Sequence, residues 1–417
     1  MNRALTPIDT LTIGLMLFAL FFGAGNLVFP AMLGQNAGDQ YWPANLGFLA
    51  TGVGLPLLGT LALAFSGLKN VLELTSRVHP WFAAGFTTML YLTIGPLFAM
   101  PRTGTVSYEI GIKPFVDPEH GPLALMLFTV FFFGVTLVLS INPTKIVDIV
   151  GKMLTPALIA CIAVLTAAAI AAPLGEPQQP TPGYAAQAFF QGFQEGYLTM
   201  DALAALVFGN IVIHAIQARG VCERKRVLLV CFKAALIAAV MLAAIYSSLT
   251  YIGASSVPAF GRLPGGGDVL DQTAKHYFGT FGGLALSLIV LLACLTTSIG
   301  LTAACSSFFQ KMIPAMSYRR LCIALSIVSA LFANFGLNQL IEFSVPVLKI
   351  LYPLAIVMIF LTYFHDRFHG KVAVYGVSLL LTFLISQVDG LSGTPFGIEA
   401  VHSWFHRNLP LYPIGLG

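Results

Sequence analysis

The chain has 417 residues, of which 57% are hydrophobic and only 9% are charged, and its mean hydropathy is +0.85. Soluble domains carry about 25% charged residues, so this composition excludes an ordinary soluble protein and predicts a polytopic membrane protein. The formal net charge of +4 gives no indication of nucleic-acid binding. Because the apolar runs are continuous and do not alternate with polar residues, the predicted spans are helices and not barrel strands.

Apolar windows divide the chain into about eleven predicted spans, since a helix needs roughly 20 apolar residues to cross a bilayer. In chain order the predicted spans are 8–36, 44–67, 81–106, 121–140, 146–172, 186–216, 227–252, 277–310, 319–335, 338–364 and 371–387. No small-residue cleavage site follows a short apolar core, so we expect the first apolar segment to be retained. We expect Asp389 to Gly417 to form a loop that approaches a twelfth span in the intact chain.

The positively charged residues alternate between the two sides of these spans. With the N-terminus inside, most of the 21 lysines and arginines lie in inside segments, and the largest cluster falls between Arg219 and Lys233. The minority that lies outside comprises Arg102, Lys113, Arg262, Lys275 and Arg407. The positive-inside rule therefore predicts a cytoplasmic N-terminus.

The cysteines and the one glycine-rich run predict no disulfide, metal centre or phosphate site. No CxxC pair occurs, and all the cysteines but the one in a basic loop lie in predicted spans. They are Cys161, Cys222, Cys231, Cys294, Cys305 and Cys322. The run Gly265 to Gly267 predicts a flexible outer loop, because no strand precedes it and no Lys-Ser/Thr pair follows it.

The first span contains Phe-Gly-Ala-Gly-Asn at residues 22–26, with Pro30 shortly after it. Glycine disfavours a helix by about 1 kcal/mol relative to alanine. Irregular backbone at membrane depth is tolerated only where it is buried in protein or lines a cavity. The stretch therefore predicts a helix that is interrupted at mid-membrane. The alternative interpretation is a packing seam, because small residues often line helix contacts in membranes.

A second irregular stretch lies in the sixth predicted span, at residues 188–202. It carries Glu195 and Asp201 together with two glutamines and two glycines. A charged side chain at the bilayer centre costs at least about 2.5 kcal/mol on insertion scales and usually faces a cavity or the bundle interior. We therefore predict a second interrupted helix around residues 195–201. In the alternative interpretation, residues 186–195 form an amphipathic turn outside and the span begins at Tyr197.

The two interruptions are five spans apart, which places them at the same position in two five-helix halves. An odd number of spans inverts one half relative to the other, and interrupted helices at matching positions indicate a transporter binding site. We predict one all-α transporter domain over 1–417, with inverted repeats at 1–173 and 184–365 and an additional span with an outer loop at 366–417. Half-helix N-termini attract anions and C-terminal carbonyls attract cations, which suits an amino acid zwitterion.

The eighth span contains Thr296 and Thr297, followed by Ser298. Hydroxyl and carbonyl oxygens are the ligands that hard cations take, so this pair is a candidate Na⁺ site. In the alternative interpretation, the threonine hydroxyls only bond back to carbonyls of the preceding helical turn.

Three stretches carry a resemblance to a known family. They are Phe-Gly-Ala-Gly-Asn at 22–26, Gly-Pro-Leu-Phe-Ala-Met-Pro-Arg-Thr-Gly at 95–104 and Gly-Tyr-Leu-Thr-Met-Asp at 196–201. They resemble the branched-chain amino acid:cation symporter family, the BrnQ-type carriers, and the resemblance extends to about residue 390. It implies a LeuT-like 5+5 inverted repeat with broken helices 1 and 6, in a bacterial plasma (inner) membrane. It also implies sodium-coupled uptake of leucine, isoleucine or valine, with a bundle of spans 1, 2, 6 and 7 moving against a scaffold.

The resemblance also implies a set of site residues. The implied substrate-binding residues are Gly23, Ala24, Gly25, Asn26, Glu195, Gly196, Tyr197 and Thr199. The implied ligands of Na⁺, the coupling ion, are Ala19, Phe22, Ala293, Thr296 and Thr297. The implied partners are the amino acid and the lipid bilayer, with no nucleic acid and no obligatory protein partner. The sequence departs from the neurotransmitter-type symporters after Asn26, where Leu27-Val28-Phe29 contains no arginine for an outer gate.

Other interpretations remain open from the sequence. A proton-coupled permease of the same fold would use Glu195 or Asp201 as its proton site. A channel would need a pore motif, and a membrane enzyme would need a clustered acid–base or metal set, which the sequence does not show. Among the other ionisable residues, we expect Arg102 at the rim of an outer vestibule, Glu342 near the outer surface and Lys349 with a structural partner.

Overall fold

The computed structural model describes residues 6–68, 70–141, 146–392, 397 and 399–408, and every element within these ranges is helical. The α-helices, in chain order, are α1 (Pro7–Phe21), α2 (Ala24–Ala37), α3 (Tyr41–Leu49), α4 (Leu55–Ser66), α5 (Val71–Thr75), α6 (Pro80–Leu92), α7 (Ala99–Gly111), α8 (Gly121–Ser140), α9 (Ile146–Ala171), α10 (Pro182–Glu195), α11 (Asp201–Ala218), α12 (Arg224–Phe260), α13 (Gly266–Met312), α14 (Tyr318–Ala333), α15 (Leu337–Tyr363), α16 (Val372–Leu391) and α17 (Glu399–Asn408). Short 3₁₀ and π segments join some of them, at Gly38–Gln40, Ala50–Gly54, Thr93–Leu97, Lys113–Phe115, Pro118–His120 and Gly196–Thr199. The all-α prediction is confirmed.

Eight helical stretches in the described ranges are long and apolar enough to cross a membrane. The predicted spans 227–252 and 277–310 are shorter than the observed helices, because α12 and α13 continue beyond the apolar windows. The predicted flexible loop at Gly265–Gly267 is wrong in part, since α13 already begins at Gly266. A Cβ placed on Gly266 would lie 2.0 Å from the Val28 carbonyl oxygen, so this residue makes a close backbone contact with α2. Likewise α17 lies in the segment expected to be a loop.

The first predicted interruption is confirmed at Phe22 and Gly23, between α1 and α2. Phe22 has φ −72° and ψ 95°, and Gly23 has φ −121° and ψ −165°, so neither residue is helical. The last helical bond of α1 runs from the Phe22 N–H to the Phe18 carbonyl at 2.8 Å, and the Gly23 N–H donates to the Asn26 side chain instead. Most of α2 is buried, and so are Leu17, Phe18 and Phe21 in the second half of α1, so the two half-helices meet inside the protein and not in lipid.

The second interruption separates α10 from α11 and is confirmed in the sixth span. A 3₁₀ turn runs from Gly196 to Thr199, and Met200 then adopts a left-handed conformation with φ 64° before α11 begins at Asp201. A non-glycine residue with positive φ is uncommon and costs roughly 1 kcal/mol or more. The residues that the alternative interpretation placed in an outside turn form α10, which packs against α3.

Helices of the two halves pack against each other around these breaks. Both α1 and α2 contact α12, while α10 contacts α3 and α11 contacts α4. These helices belong to the first, second, sixth and seventh spans. The neighbouring α7 and α13, from the third and eighth spans, pack along each other beside this group.

At one end of the group, glycines allow the helix backbones to touch. A Cβ placed on Gly34 would lie 1.9 Å from the Thr250 carbonyl oxygen, and one on Gly253 would lie 2.0 Å from that of Ala31. These contacts form the α2–α12 seam. The α3–α10 seam is similar, since a Cβ on Gly47 or Gly192 would lie 1.9 Å from a carbonyl oxygen of the facing helix. Nothing larger than glycine fits at these positions unless the helices separate.

Two ionisable residues of α15 were considered in the sequence. Glu342 is exposed. Lys349 forms an ion pair with Asp389 of α16, with 3.6 Å between Nζ and Oδ1. This ion pair joins α15 to α16.

Candidate functional site at the two helix breaks

A small cavity of about 40 Å³ lies between the two interruptions. Its walls come from both breaks and from the third and eighth spans, and the lining residues are Leu20, Phe21, Gly23, Ala24, Gly25, Asn26, Ile94, Ala99, Arg102, Thr103, Thr199, Met200, Asp201, Ala204, Phe208, Thr297 and Leu301. A volume of this size holds roughly three water molecules. A ligand larger than a few water molecules therefore requires the cavity walls to separate.

The first break leaves backbone N–H groups, with partial positive charge, and carbonyl oxygens, with partial negative charge, beside this cavity. The Asn26 Oδ1 atom accepts a hydrogen bond from the Gly23 N–H at 3.0 Å. In a continuous helix that N–H would donate to the Ala19 carbonyl, so α1 ends with carbonyls relieved of their usual donors. The N–H groups of Ala24, Gly25 and Asn26 open the first turn of α2 and have no acceptor within the helix. The break thus offers cation ligands on one side and anion ligands on the other.

Asn26 also joins the two breaks. Its Nδ2 atom donates to Asp201 Oδ2 at 2.6 Å and to the Tyr246 hydroxyl. The same hydroxyl donates to Asp201 Oδ2 at 2.8 Å. All three residues are buried, and none of the ion pairs found in the described residues involves Asp201. This carboxylate therefore lies at the cavity without an ion pair to a cationic side chain of the described residues.

The predicted cation ligands partly converge. Thr297 Oγ1 lies 3.3 Å from the Phe22 carbonyl oxygen and 3.1 Å from that of Ala293, while Thr296 Oγ1 donates to the Ala293 carbonyl at 2.8 Å. Ala19 precedes Gly23 by one helical turn. The hydroxyl bonds to Ala293 are those expected from the alternative interpretation, but the contact between Thr297 and Phe22 joins two different spans. Three carbonyls and a hydroxyl pair suit a hard monovalent cation better than a transition metal.

The described residues contain no cluster of three or more His, Cys, Asp or Glu side chains that could hold a metal ion. A metal centre built from these side chains is therefore not found in the described part of the chain. The oxygen donors at the first break remain the candidate ligands.

The residues predicted at the second break separate into two groups. Thr199 lines the cavity, donates to the Gly196 carbonyl at 2.9 Å and accepts from the Asp201 N–H at 3.4 Å.

The other three predicted residues do not line the cavity. Gly196 lies behind it, where an added Cβ would be 1.9 Å from Thr51 Oγ1. Tyr197 stacks on Tyr352 with ring centroids 4.4 Å apart. Glu195 accepts a hydrogen bond from the Tyr184 hydroxyl. Only Thr199 of the four faces the cavity.

Arg102 contradicts the expectation of a position at the rim of an outer vestibule. Its side chain is only 3% exposed and lines the cavity from α7. Its Nη1 donates to the Leu198 carbonyl at 2.5 Å, within the second break, and its Nη2 donates to Ser344 Oγ at 3.2 Å. The guanidinium carbon lies 4.9 Å from the centroid of the Phe29 ring. The contacts with α2 and α15 bury this residue, and hydropathy gives no signal for them.

Sequence reasoning missed the role of Tyr246 altogether. It considered Asp201 only as a proton site. The mean hydropathy of a window does not reveal a single tyrosine in the middle of a span, although a phenol at membrane depth requires a hydrogen-bond partner. That requirement was the available signal for Tyr246.

A second cavity, the vestibule, has a volume of about 360 Å³. It lies between α1, α11 and α13 and is lined by Met16, Leu20, Asn70, Val71, Leu72, Tyr91, Val207, Asn210, Ile211, Gly300, Ala303, Ala304, Ser307, Phe308, Lys311 and Met312. Leu20 lines both the vestibule and the small cavity, so the two spaces are neighbours. Met16 and Leu20, which line the vestibule, precede the first break, whereas Gly34 of the α2–α12 seam follows it, so the vestibule and this seam lie towards opposite ends of the first span.

Comparisons with known proteins agree with the resemblance in the sequence. A sequence model described as "Branched-chain amino acid transport protein" matches residues 6–417. The chain is 53% identical over 417 residues to the "Branched-chain amino acid permease BrnQ" of Bacillus subtilis (strain 168), covering 100% of this chain and 95% of that relative. It is 38% identical over 416 residues to the permease of the same name from Escherichia coli (strain K12), covering 100% and 93%.

Solved structures support the fold. The structure of MhsT in complex with L-phenylalanine is similar at a TM-score of 0.62 and 16% identity, covering 93% of this chain and 100% of that one. Mhp1, a nucleobase-cation-symport-1 family transporter in a closed conformation with bromovinylhydantoin bound, is similar at a TM-score of 0.61 and 13% identity, covering 96% and 93%. At these identities the likeness concerns the fold alone, which is LeuT-like with an inverted repeat and broken helices 1 and 6.

Proposed function

The chain belongs to the branched-chain amino acid transport protein family, and from this premise we propose that it takes up leucine, isoleucine and valine together with Na⁺ by alternating access. The family membership makes it a multi-pass membrane permease for branched-chain amino acids and not an enzyme. The proposal concerns the coupling ion, the residues of the site and the direction of transport.

The observation that carries sodium coupling is the contact between Thr297 and the end of α1. Thr297 Oγ1 lies 3.3 Å from the Phe22 carbonyl oxygen, and Gly23 N–H is bonded to Asn26 and not to Ala19. An ion held by Ala19, Phe22, Ala293, Thr296 and Thr297 would bridge α1 and α13, which belong to different spans. Both helices also line the vestibule, through Leu20 and Gly300 among others. Ion binding that draws α1 towards α13 therefore narrows the vestibule, and this links the ion to the conformational change.

The amino acid would bind in the small cavity between the breaks. Its α-carboxylate would accept hydrogen bonds from the N–H groups of Ala24, Gly25 and Asn26 at the N-terminus of α2, where the helix dipole favours an anion. Apolar side chains of the lining, such as Phe208, would contact the branched side chain. Glu195, Gly196 and Tyr197 stay predicted ligands, and they would need to approach the cavity in another conformation.

The positions of the seams and the vestibule support an inward-facing state. Lys311 lines the vestibule, and α12 begins with the basic sequence Arg224 to Arg226 at the same end of the bundle. The positive-inside rule then places the vestibule on the cytoplasmic side and the glycine seams on the outer side. In this state substrate and ion would leave through the vestibule while the outer path is closed.

The test is uptake of radiolabelled leucine into proteoliposomes at fixed pH on both sides. We expect an inward Na⁺ gradient to drive accumulation, and replacement of Na⁺ by choline to reduce the initial rate at least about tenfold. Counterflow of unlabelled leucine distinguishes a saturable carrier from a channel. Uptake that is unaffected by removing Na⁺ would contradict sodium coupling.

Proton coupling is the second candidate, and Asp201 is the observation in its favour. This carboxylate is 2% exposed and accepts hydrogen bonds only from neutral groups, Asn26 and Tyr246, among the bonds described above. A site of this kind could bind a proton in one state and release it in another. Accumulation driven by a pH gradient without Na⁺, and abolished by Asp201→Asn, would establish this alternative.

A further inference from the structure

Arg102 is a buried arginine without an acidic partner in the described part of the chain. Its side chain is 3% exposed, and the ion pairs found among the described residues do not include it. Its Nη atoms donate to two neutral acceptors, the Leu198 carbonyl and Ser344 Oγ, while its Nε has no acceptor. Burying a charge costs several kcal/mol unless a counter-charge accompanies it. The protein therefore holds a cation in a position where a bound anion would stabilise it.

The guanidinium lies against the N-terminus of α2. A Cβ placed on Gly25 would be 3.5 Å from Arg102 Nη1, so the guanidinium is in contact distance of the first turn of that helix. This turn presents the backbone N–H groups that have no acceptor within α2. A full positive charge and the positive end of a helix dipole therefore meet at one wall of the cavity, and both favour an anion there.

Asp201 does not neutralise Arg102. The two residues line the same cavity, but the Asp201 carboxylate is bonded to Asn26 and Tyr246. No ion pair between Asp201 and Arg102 occurs in the described structure. The cavity consequently carries separated charges of opposite sign, which is the charge pattern of an amino acid zwitterion.

We propose that Arg102 binds the α-carboxylate of the transported amino acid, together with the N–H groups at the start of α2. The inference rests on the proposed function, because it assumes that the cavity is the amino acid site. The planar guanidinium matches the two oxygens of a carboxylate and forms charge-assisted hydrogen bonds with them. Arg102 belongs to α7 in the third span, whereas the N–H groups belong to α2 in the first. The carboxylate would therefore join the bundle to its neighbour and select substrates that carry this group.

The experiment measures displacement of radiolabelled leucine from the purified full chain by L-leucine and by L-leucinamide, at saturating Na⁺. Leucinamide keeps the ammonium group and the side chain but replaces the carboxylate by a neutral amide. We expect leucinamide to bind the wild-type protein about 100-fold more weakly than leucine, as is typical for a lost pair of charge-assisted hydrogen bonds. In Arg102→Gln we expect leucine to weaken about 100-fold and leucinamide to change less than about threefold, so that the preference disappears.

Two variants control for folding and for charge. Arg102→Lys keeps the charge but loses the bidentate geometry, and we expect leucine to weaken about tenfold with leucinamide unchanged. This variant also decides the matter if Arg102→Gln does not elute as a folded protein. Arg262→Gln removes an exposed arginine that donates to the Gln179 carbonyl at 2.8 Å, and we expect both affinities to stay as in the wild type.

Three results would overturn the inference. Equal weakening of leucine and leucinamide in the Arg102 variants would assign Arg102 a structural or gating role. If replacing chloride by gluconate weakened the binding of leucine and of leucinamide equally, the anion bound at Arg102 would be identified as chloride. Absence of leucine binding in the wild-type protein would overturn the proposed function itself, and this inference with it. Leucine binding that is normal but independent of Na⁺ would contradict sodium coupling while leaving the role of Arg102 intact.

Discussion

The two interrupted helices end in different ways, although they occupy matching positions in the two halves. At the first break, Phe22 and Gly23 are extended, and the Asn26 side chain accepts the Gly23 N–H from within α2. At the second, the helix is interrupted by a 3₁₀ turn and by Met200, whose φ of 64° is unusual for a residue with a side chain. The first break is thus made by residue types that favour interruption, whereas the second is imposed on a residue that does not.

This difference teaches how the two breaks divide their tasks. The residues of the first break, Gly23 to Asn26, all line the cavity. At the second break, Arg102 bonds the Leu198 carbonyl and Thr199 bonds that of Gly196, so part of the freed backbone is satisfied by the protein. We therefore expect changes at the first break to affect ligands directly, and changes at the second to affect them less.

The largest effect is expected for Gly25→Leu. A Cβ at this position would lie 2.9 Å from Phe29 Cε2 and 3.5 Å from Arg102 Nη1, so a leucine side chain fills the proposed carboxylate site. We expect loss of detectable leucine binding in a protein that still inserts in the membrane. Gly85→Leu is the matched control, because a Cβ there meets nothing within 4 Å. Normal leucine binding by Gly25→Leu would show that Gly25 serves only packing.

The next largest effect, on the Kd for leucine, is expected for Asn26 in comparison with Thr199, the polar side chains that bond backbone groups at the two breaks. Asn26→Ala removes the acceptor of the Gly23 N–H and the donor to Asp201 and to the Tyr246 hydroxyl, which are three buried bonds of which one involves a charge. We expect the Kd for leucine to rise roughly 30-fold, since bonds to charged groups are worth about 1.5–3 kcal/mol. Thr199→Ala removes two neutral bonds, one to the Gly196 carbonyl and one from the Asp201 N–H, and we expect a rise of no more than about fivefold. Equal effects in a binding assay would contradict the difference between the breaks.

A smaller effect is expected on the cation. Thr297→Ala should raise the Na⁺ concentration for half-maximal leucine uptake about tenfold, because the variant loses the hydroxyl that lies 3.3 Å from the Phe22 carbonyl oxygen. Thr302→Ala on the same helix is the control, since its hydroxyl bonds the Ser298 carbonyl one turn earlier. Unchanged Na⁺ dependence in Thr297→Ala would remove the eighth span from the cation site.

The smallest effect is expected for Gly23→Ala. The added Cβ would lie 3.2 Å from Thr297 Cγ2, a contact that a shift of a few tenths of an ångström relieves. We expect the Na⁺ concentration for half-maximal leucine uptake to rise about threefold, with the Kd for leucine unchanged. A larger loss than that of Thr297→Ala would indicate that the extended backbone of Gly23 itself, and not the threonine hydroxyl, determines cation affinity.

The sequence predicts the first break well because glycine and asparagine in an apolar run carry a strong local signal. It predicts the second only as a region, because methionine has no preference for the left-handed conformation that Met200 adopts. The burial of Arg102 depends on contacts with α2, α15 and the second break, which come from distant parts of the chain. The helix ends of α12 and α13 were underestimated because polar residues close the apolar window before the helix stops.

The glycine seams have a consequence for how the helices at that end of the bundle can separate. Where α2 meets α12 and α3 meets α10, backbone faces backbone at Gly34, Gly253, Gly47 and Gly192. Surfaces without interlocking side chains can part without a change of rotamers, so separation costs dispersion contacts but little reordering. Small-residue seams are therefore smooth surfaces between which whole helices can slide or separate repeatedly. The same close contact allows the separated state of α2 and α12 to be trapped, because a bulkier residue at Gly34 or Gly253 would keep the two helices apart.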